Sequence, residues 1–369
     1  MNRIILIGNG FDLAHGLPTS YRHFMDWYWE QRFLGLPKDS YESSDGLCTL
    51  KIFGNKRWGN FVKEYPHLSG KEFLDLIQKG RESRTYELVA SPFFLNIIEA
   101  IETKGWVDIE YEYYKRLKIY LPNESRKEAK PPKELNKELH TIKELLVEYL
   151  IQVQDTSLNE YNNIAPEICR IIDDPISIRD ISITDYSRNY ELREVKRNNS
   201  PNLIMFLNFN YTRTADVRSG LASESKIIVN HIHGVLANPD SMIFGYGDEL
   251  DRDFKSLLET NNNDFLEEVK SVRYLESDCY RKMLDFIETN FYQIYVMGHS
   301  CGISDRTLLN TLFEHSNCVS IKPFYYQSND GKDNYSEIVQ NIYRNFSNQK
   351  QFRDRVVNKK YCIPLPQSK

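Results

Sequence analysis

The 369-residue sequence contains no Cys-x-x-Cys pair, no His-Glu-x-x-His and no Gly-Lys-Ser/Thr triplet. Its six cysteines, Cys48, Cys169, Cys279, Cys301, Cys318 and Cys362, are scattered. That spacing argues against a zinc module or a disulfide framework and predicts reduced thiols in a cytoplasmic protein. The other two absences exclude a metalloprotease helix and a P-loop, and no metal site is expected. No apolar run approaches the roughly 20 residues of a membrane helix. Ile4–Ile7 is too short for the apolar region of a signal peptide, so no membrane partner is expected. Basic residues do not outnumber acidic ones. The net charge of −5 argues against a generally basic nucleic-acid binder. Hydrophobic content of 41% and charged content of 27% fit a soluble globular chain. Its length allows one large domain or two ordinary ones. There is no internal repeat and no low-complexity tract.

What the sequence does have begins at residue 4. Ile4-Ile5-Leu6-Ile7 runs directly into Gly8-Asn9-Gly10-Phe11-Asp12. Four β-favouring apolar residues followed by Gly-x-Gly read as a buried strand ending in a tight turn, the place where parallel α/β sheets bind nucleotides. Glycines let a pyrophosphate approach the backbone, and a helix start offers N–H groups to the anion. The ordinary dinucleotide pattern needs a third glycine where this chain has Leu13; here the next is Gly16, followed by Pro18. Taken alone, the motif is equally a tight strand-to-helix connection.

Downstream, a helix is expected from about Ser20 to Phe33, capped by Thr19 or Ser20. Its aromatic face (Phe24, Trp27, Tyr28, Trp29) is apolar enough to pack on the segment that follows or on another subunit, so a homo-oligomer is compatible with it. Residues 36 to 70 read as irregular. From about Lys71 to Asp173 the pattern is mostly helical, with Leu88, Phe93, Phe94, Ile97, Ile98 and Ile101 at helical spacing. Pro122–Pro132 and Glu191–Asn199 read as solvated loops. The period then changes. Strands are expected at 203–207, 226–230, 292–297 and about 320–326, separated by helices near 278–290, 305–315 and 335–346. This alternation predicts an α/β fold with a mostly parallel sheet that includes the first strand. Domain boundaries follow: 1–35 with 201–369 as the nucleotide-binding α/β domain, and 36–200 as a large, mostly α-helical insertion.

Three later strands end in polar residues: Asn208-Phe209-Asn210, His231-Ile232-His233-Gly234 and Gly298-His299-Ser300. In a parallel sheet these ends and the Gly-x-Gly turn face one crevice. Each has a plain reading as well. An Asn after a strand is a common turn residue, His233 is a turn histidine, His231 could belong to the core, and His299-Ser300 could cap the next helix. Their coincidence at strand ends is what favours a site.

Gly8 through Pro18 resembles, in register, the sirtuin loop Gly-Ala-Gly-x-Ser-x-x-x-Gly-Ile-Pro. Asn208-Phe209-Asn210, His233-Gly234 and Gly298-His299-Ser300 resemble, in order, the sirtuin Asn-x-Asp, His-Gly and Gly-Thr-Ser. More narrowly, the opening through Tyr21, the Asn208–Thr212 stretch and Ile232-His233-Gly234 followed by Phe244-Gly245-Tyr246-Gly247 are similar to the bacterial abortive-infection AbiH family. The resemblance implies a sirtuin-like Rossmann variant that binds NAD or a related nucleotide in an anti-phage defence protein, with a phage-derived trigger. It implies that the Gly8, Asn9, Gly10, Phe11 and Asp12 loop holds the pyrophosphate. Asn208 would lie near the nicotinamide ribose and order a water or a ribose hydroxyl there, His233 would act there as base or polariser, Asn210 would contact the nucleotide, and Gly298, His299 and Ser300 would line the adenosine end. A histidine with its ordinary value near 6.5 accepts a hydroxyl proton at neutral pH. The missing four-cysteine module argues against protein deacylation. Asp12 stands where the sirtuin loop has Ser; beside a pyrophosphate it must point away, bind a ribose hydroxyl, or mark a ligand other than NAD. The leading expectation is hydrolysis of NAD to nicotinamide and ADP-ribose on infection. The alternatives are a non-catalytic nucleotide-binding sensor or scaffold, and a metal-dependent nucleotide or nucleic-acid hydrolase.

Overall fold

A computed structural model describes residues 1–104, 108–122, 129, 131–157, 165–182, 200–216, 221 and 226–367. The loop expected at Glu191–Asn199 and most of the one at Pro122–Pro132 lie outside the described residues. The chain opens with β1 (Asn2–Ile7) and α1 (Asn9–Ala14). It continues through α2 (Tyr21–Leu34), β2 (Glu42–Ser44), β3 (Cys48–Ile52), α3 (Trp58–Glu64), α4 (Gly70–Glu82), β4 (Tyr86–Ala90), α5 (Pro92–Lys104), α6 (Ile109–Lys118) and α7 (Lys133–Ser157). There follow α8 (Pro166–Asp173), β5 (Ile204–Asn208), β6 (Ile227–His231), α9 (Phe254–Glu259), α10 (Lys270–Arg273), α11 (Cys279–Thr289) and β7 (Tyr292–Met297). The last elements are α12 (Arg306–Glu314), β8 (Cys318–Phe324), α13 (Tyr335–Arg344) and α14 (Gln349–Arg355).

Two compact units result: Met1–Pro18 with Ile151–Glu259 and Glu268–Lys369, and Thr19–Leu150 with Thr260–Glu267. In the first, five strands form one sheet in the order β6-β5-β1-β7-β8, every pair parallel. All five strands expected from the sequence are there, within one or two residues. β1 lies at the centre, buried along its whole length. Its Ile4 pairs with Met205 of β5 on one side and Ile294 of β7 on the other.

Because side chains alternate across a strand, β1 supplies two cores. Ile4 and Leu6 join Met205, Leu207, Ile294 and Val296 under α11 and α12. Ile5 and Ile7 join Phe206, Tyr295 and Met297 under Ile168, Cys169 and Ile172 of α8. Buried Arg3 adds to this second attachment. It donates to Gln293 Oε1 at 3.0 Å and to the carbonyl of Asp174 at 2.7 Å, with its guanidinium 4.3 Å from the Tyr295 ring centre.

The second unit is helical with one addition that the sequence does not announce. β2, β3 and β4 form a three-stranded antiparallel sheet. Residues 36–70 are therefore not irregular, and Leu88 pairs with Leu50 in a strand instead of continuing a helix. α2 starts where expected, with Ser20 Oγ accepting from the His23 N–H. Its aromatic face packs within its own unit: Tyr28 lies 5.4 Å and Trp29 6.3 Å from the Phe94 ring, and Trp29 6.4 Å from Phe73. Among the described residues, no helix is long and apolar enough to cross a membrane.

Candidate functional site

In chain order the first unit's strands run from the centre outward, β1 to β5 to β6, then back across to β7 and β8. The direction reverses between β1 and β7, the kind of position where open α/β sheets bind ligands at the strands' carboxyl ends. Here the backbone of the first and fourth strand ends meets at that crevice. α1 starts at Asn9, directly after the strand, with Gly8 as its N-cap. The Gly10 N–H donates to the Gly298 carbonyl at 2.8 Å, and the Phe11 N–H to the Gly8 carbonyl at 2.8 Å. A Cβ at Gly8 would stand 2.6 Å from His299 Cα, one at Gly10 2.8 Å from Gly298 Cα, and one at Gly298 2.0 Å from the Phe11 nitrogen. Gly298 also has φ +77°, which favours glycine. Contact between the first and fourth strand ends thus accounts for these glycines. The Gly10 N–H is taken up in that contact, and the Phe11 N–H within its own turn.

The polar strand ends divide into two groups. In the first, Asn208 is fully buried and its amide is engaged at both ends. Its Oδ1 accepts from the Asn210 N–H at 3.0 Å, an Asx turn, and its Nδ2 lies 3.1 Å from His231 Nδ1. The amide can only donate there, so Nδ1 accepts and His231 Nε2–H donates to Asp216 Oδ1 at 2.8 Å. Asn210 turns elsewhere, donating from Nδ2 to the Gly8 carbonyl at 3.0 Å. Asp12 points inward: it is 1% exposed, and its Oδ2 accepts from Thr212 Oγ1 at 2.7 Å. Of the three fates open to this carboxylate, the fold realises the one that faces away from the loop surface.

His15 is also structural. Its Nδ1 lies 2.7 Å from the Phe11 carbonyl, and its Nε2 accepts from the Ala165 N–H at 3.3 Å. Only the neutral Nδ1–H tautomer satisfies both, in keeping with burial lowering its pKa.

The second group is a buried ionic cluster around Asp305. Lys270 has no exposed surface and donates from Nζ to Asp305 Oδ1 at 2.7 Å. His233 Nε2 lies 3.2 Å from that same oxygen and 3.2 Å from Tyr274 Oη. His299 Nε2 lies 3.6 Å from Asp305 Oδ2, while its Nδ1 accepts from the Cys301 N–H at 3.0 Å. The Phe209 ring covers both imidazoles, 4.0 Å from His299 and 5.0 Å from His233. Burial alone would raise the Asp305 carboxyl; the Lys270 charge and then His233 outweigh it and hold it well below the usual range. Burial, followed by the Lys270 charge, pushes His233 down to about 4 against the pull of Asp305. The ordinary value assumed from the sequence therefore does not apply, and His233 is neutral at physiological pH. With Nε2–H given to the Asp305 carboxylate, its Nδ1 is a lone-pair acceptor with no hydrogen-bond partner among the described residues.

Backbone positions this cluster. Tyr246 bridges Val269 in parallel, the Lys270 N–H donates to the Tyr246 carbonyl at 2.9 Å, and the Gly247 N–H donates to the Ser304 carbonyl at 2.9 Å. The Phe244–Gly247 stretch thus lies between the segments that carry Lys270 and Asp305. Neither residue stands out in the sequence, where Asp305 reads as a helix start and Lys270 belongs to no motif. Around the loop, Asn9 and Ser300 are exposed, and Gly10, Asn210 and Gly298 partly so. Ser300 Oγ accepts from the Gly302 N–H at 3.3 Å and does not cap α12. No group of three or more His, Cys, Asp or Glu suited to a metal occurs among the described residues.

No curated protein and no solved structure matches the chain. The family model described as bacteriophage abortive infection AbiH matches residues 4–327, a span that takes in most of β1, the Asn208–Thr212 turn, His233, Lys270 and Asp305. The chain belongs to the bacteriophage abortive infection AbiH family, and that membership implies a role in defence against phage.

Proposed function

We infer that the protein binds NAD at the carboxyl edge of its parallel sheet and hydrolyses the nicotinamide–ribose bond during infection. The observation that carries this reading is the Asp305–His233 pair: a neutral imidazole oriented by a buried carboxylate through Nε2, with Nδ1 available. Its two residues follow the carboxyl ends of β6 and β7 in the chain. Breaking the bond leaves its electron pair on nicotinamide and positive charge on the ribose, and water adds at that carbon. Such a reaction calls for polar groups that position water and ribose hydroxyls more than for a strong nucleophile. A neutral His233 supplies an acceptor for a ribose hydroxyl or for the attacking water. Asn9, Gly10, Asn210 and Ser300 are the positions with surface to offer the rest of the nucleotide. The inward turn of Asp12 removes a carboxylate from the pyrophosphate's path. Asn208, bonded at both amide ends, serves as a positioning residue for the turn that carries Asn210.

Nicotinamide release from NAD by the purified protein, with and without phage lysate, tests the reading. The expected result is release that His233→Ala abolishes. Equal release by wild type and variant would remove His233 from the mechanism. Saturable NAD binding without release under either condition would favour a nucleotide-gated sensor.

A further inference from the structure

The second unit contains a cavity of about 390 Å³ between α2, α4 and α5. Small-molecule pockets run from about 300 to 1,000 Å³. Its apolar lining comes from Met25, Trp29, Leu74 and Ile98, all buried. Its charged lining comes from Arg22, Asp26, Lys71, Asp75 and Glu102. These sit at partly or fully exposed positions, so the cavity has an apolar floor and an ionic rim. Among the described residues, none of the five rim charges forms an ion pair, although Arg22 and Asp26, like Lys71 and Asp75, stand one helical turn apart. Carboxylates and cations therefore line one opening without neutralising each other at contact distance.

An apolar floor beneath unpaired charges of both signs matches one ligand chemistry: an apolar body carrying an ammonium and a carboxylate. We propose that this cavity binds a small zwitterion of the apolar amino-acid type, its ammonium toward Asp75 and Glu102, its carboxylate toward Lys71 and Arg22, and its side chain against Trp29 and Leu74. The rim carries three carboxylates against two cations, so an occupant lacking the ammonium is disfavoured most. Burial holds the Glu102 carboxyl above the ordinary range against a hydrogen bond from Gln78, with Asp75 adding to the rise; an arriving ammonium relieves that penalty.

The test is calorimetric titration of the full chain with leucine, phenylalanine, N-acetyl-leucine and leucine amide. Saturable binding of leucine or phenylalanine is expected, weakened about tenfold or more when either charge is blocked. Glu102→Gln should weaken leucine. Lys71→Gln should abolish the preference for leucine over leucine amide, and circular dichroism should show both variants folded. Absence of binding by both leucine and phenylalanine would overturn the proposal. So would N-acetyl-leucine or leucine amide binding wild type as tightly as leucine does.

Discussion

Replacing Asp305 by asparagine should destabilise the first unit by about 3–5 kcal/mol, the usual cost of breaking one side of a buried ion pair. Lys270 has no exposed surface, and its ammonium sits 2.7 Å from Asp305 Oδ1. Water therefore cannot replace the lost carboxylate without the structure opening. The whole fold is worth on the order of 5–15 kcal/mol, so this single change removes a large share of it. Lys270→Met should cost a similar amount, because among the described residues Asp305 then keeps only the two imidazoles as ionic partners. The double variant Lys270→Met/Asp305→Asn buries no charge at either position and should lose far less than the sum. Urea unfolding of the four proteins at pH 7, arranged as a double-mutant cycle, measures the coupling directly. A loss below about 1 kcal/mol for Asp305→Asn, or additive losses in the double variant, would refute a tightly coupled buried pair.

His233 should give stability a pH dependence of known sign. Its folded value is lowered from 6.5 to about 4, so between those values the unfolded chain binds the extra proton and stability falls as pH falls, by on the order of 3 kcal/mol in all. Comparing unfolding of wild type and His233→Asn across that window isolates the contribution, and identical slopes would contradict it. Asp305 acts in a lower window. Its depressed carboxyl contributes stability that is fully present above the ordinary carboxylate range of about 4 and is lost as pH falls through its folded value. Gly298→Ala should cost roughly 3 kcal/mol in thermal or urea unfolding, combining left-handed backbone with a Cβ 2.0 Å from the Phe11 nitrogen; a near-neutral effect would mean that the contact between the first and fourth strand ends is easily remodelled. Thr212→Val should cost about 1.5–3 kcal/mol by removing the donor to buried Asp12, and Thr212→Ser should restore most of it.

The sheet was legible because parallel strands buried on both faces must be apolar runs, and Ile4–Ile7, Ile204–Leu207 and Ile294–Met297 are such runs. The strand order was not, since it depends on which runs pair and no single run records its partner. The small sheet of the second unit is not legible in the sequence for a different reason. β2 has only three residues, and Leu88 of β4 falls by coincidence near helical spacing with Phe93 and Ile97. At the site, the histidines were visible as polar endings of apolar strands. Lys270 and Asp305 were not, because full burial of a charge is a property of the folded neighbourhood and not of the local sequence. The opening Gly-x-Gly does end the central strand, as its sequence suggests, but its glycines are accounted for by backbone packing against Gly298 and His299.

Hydrogen exchange of the full chain with and without NAD tests the central claim most directly, because it reports where the nucleotide sits whether or not it is cleaved. The account predicts slower exchange on NAD addition in the segments around residues 8–12, 208–212 and 298–302. Unchanged exchange there at saturating NAD, or protection confined to α2, α4 and α5, would contradict it.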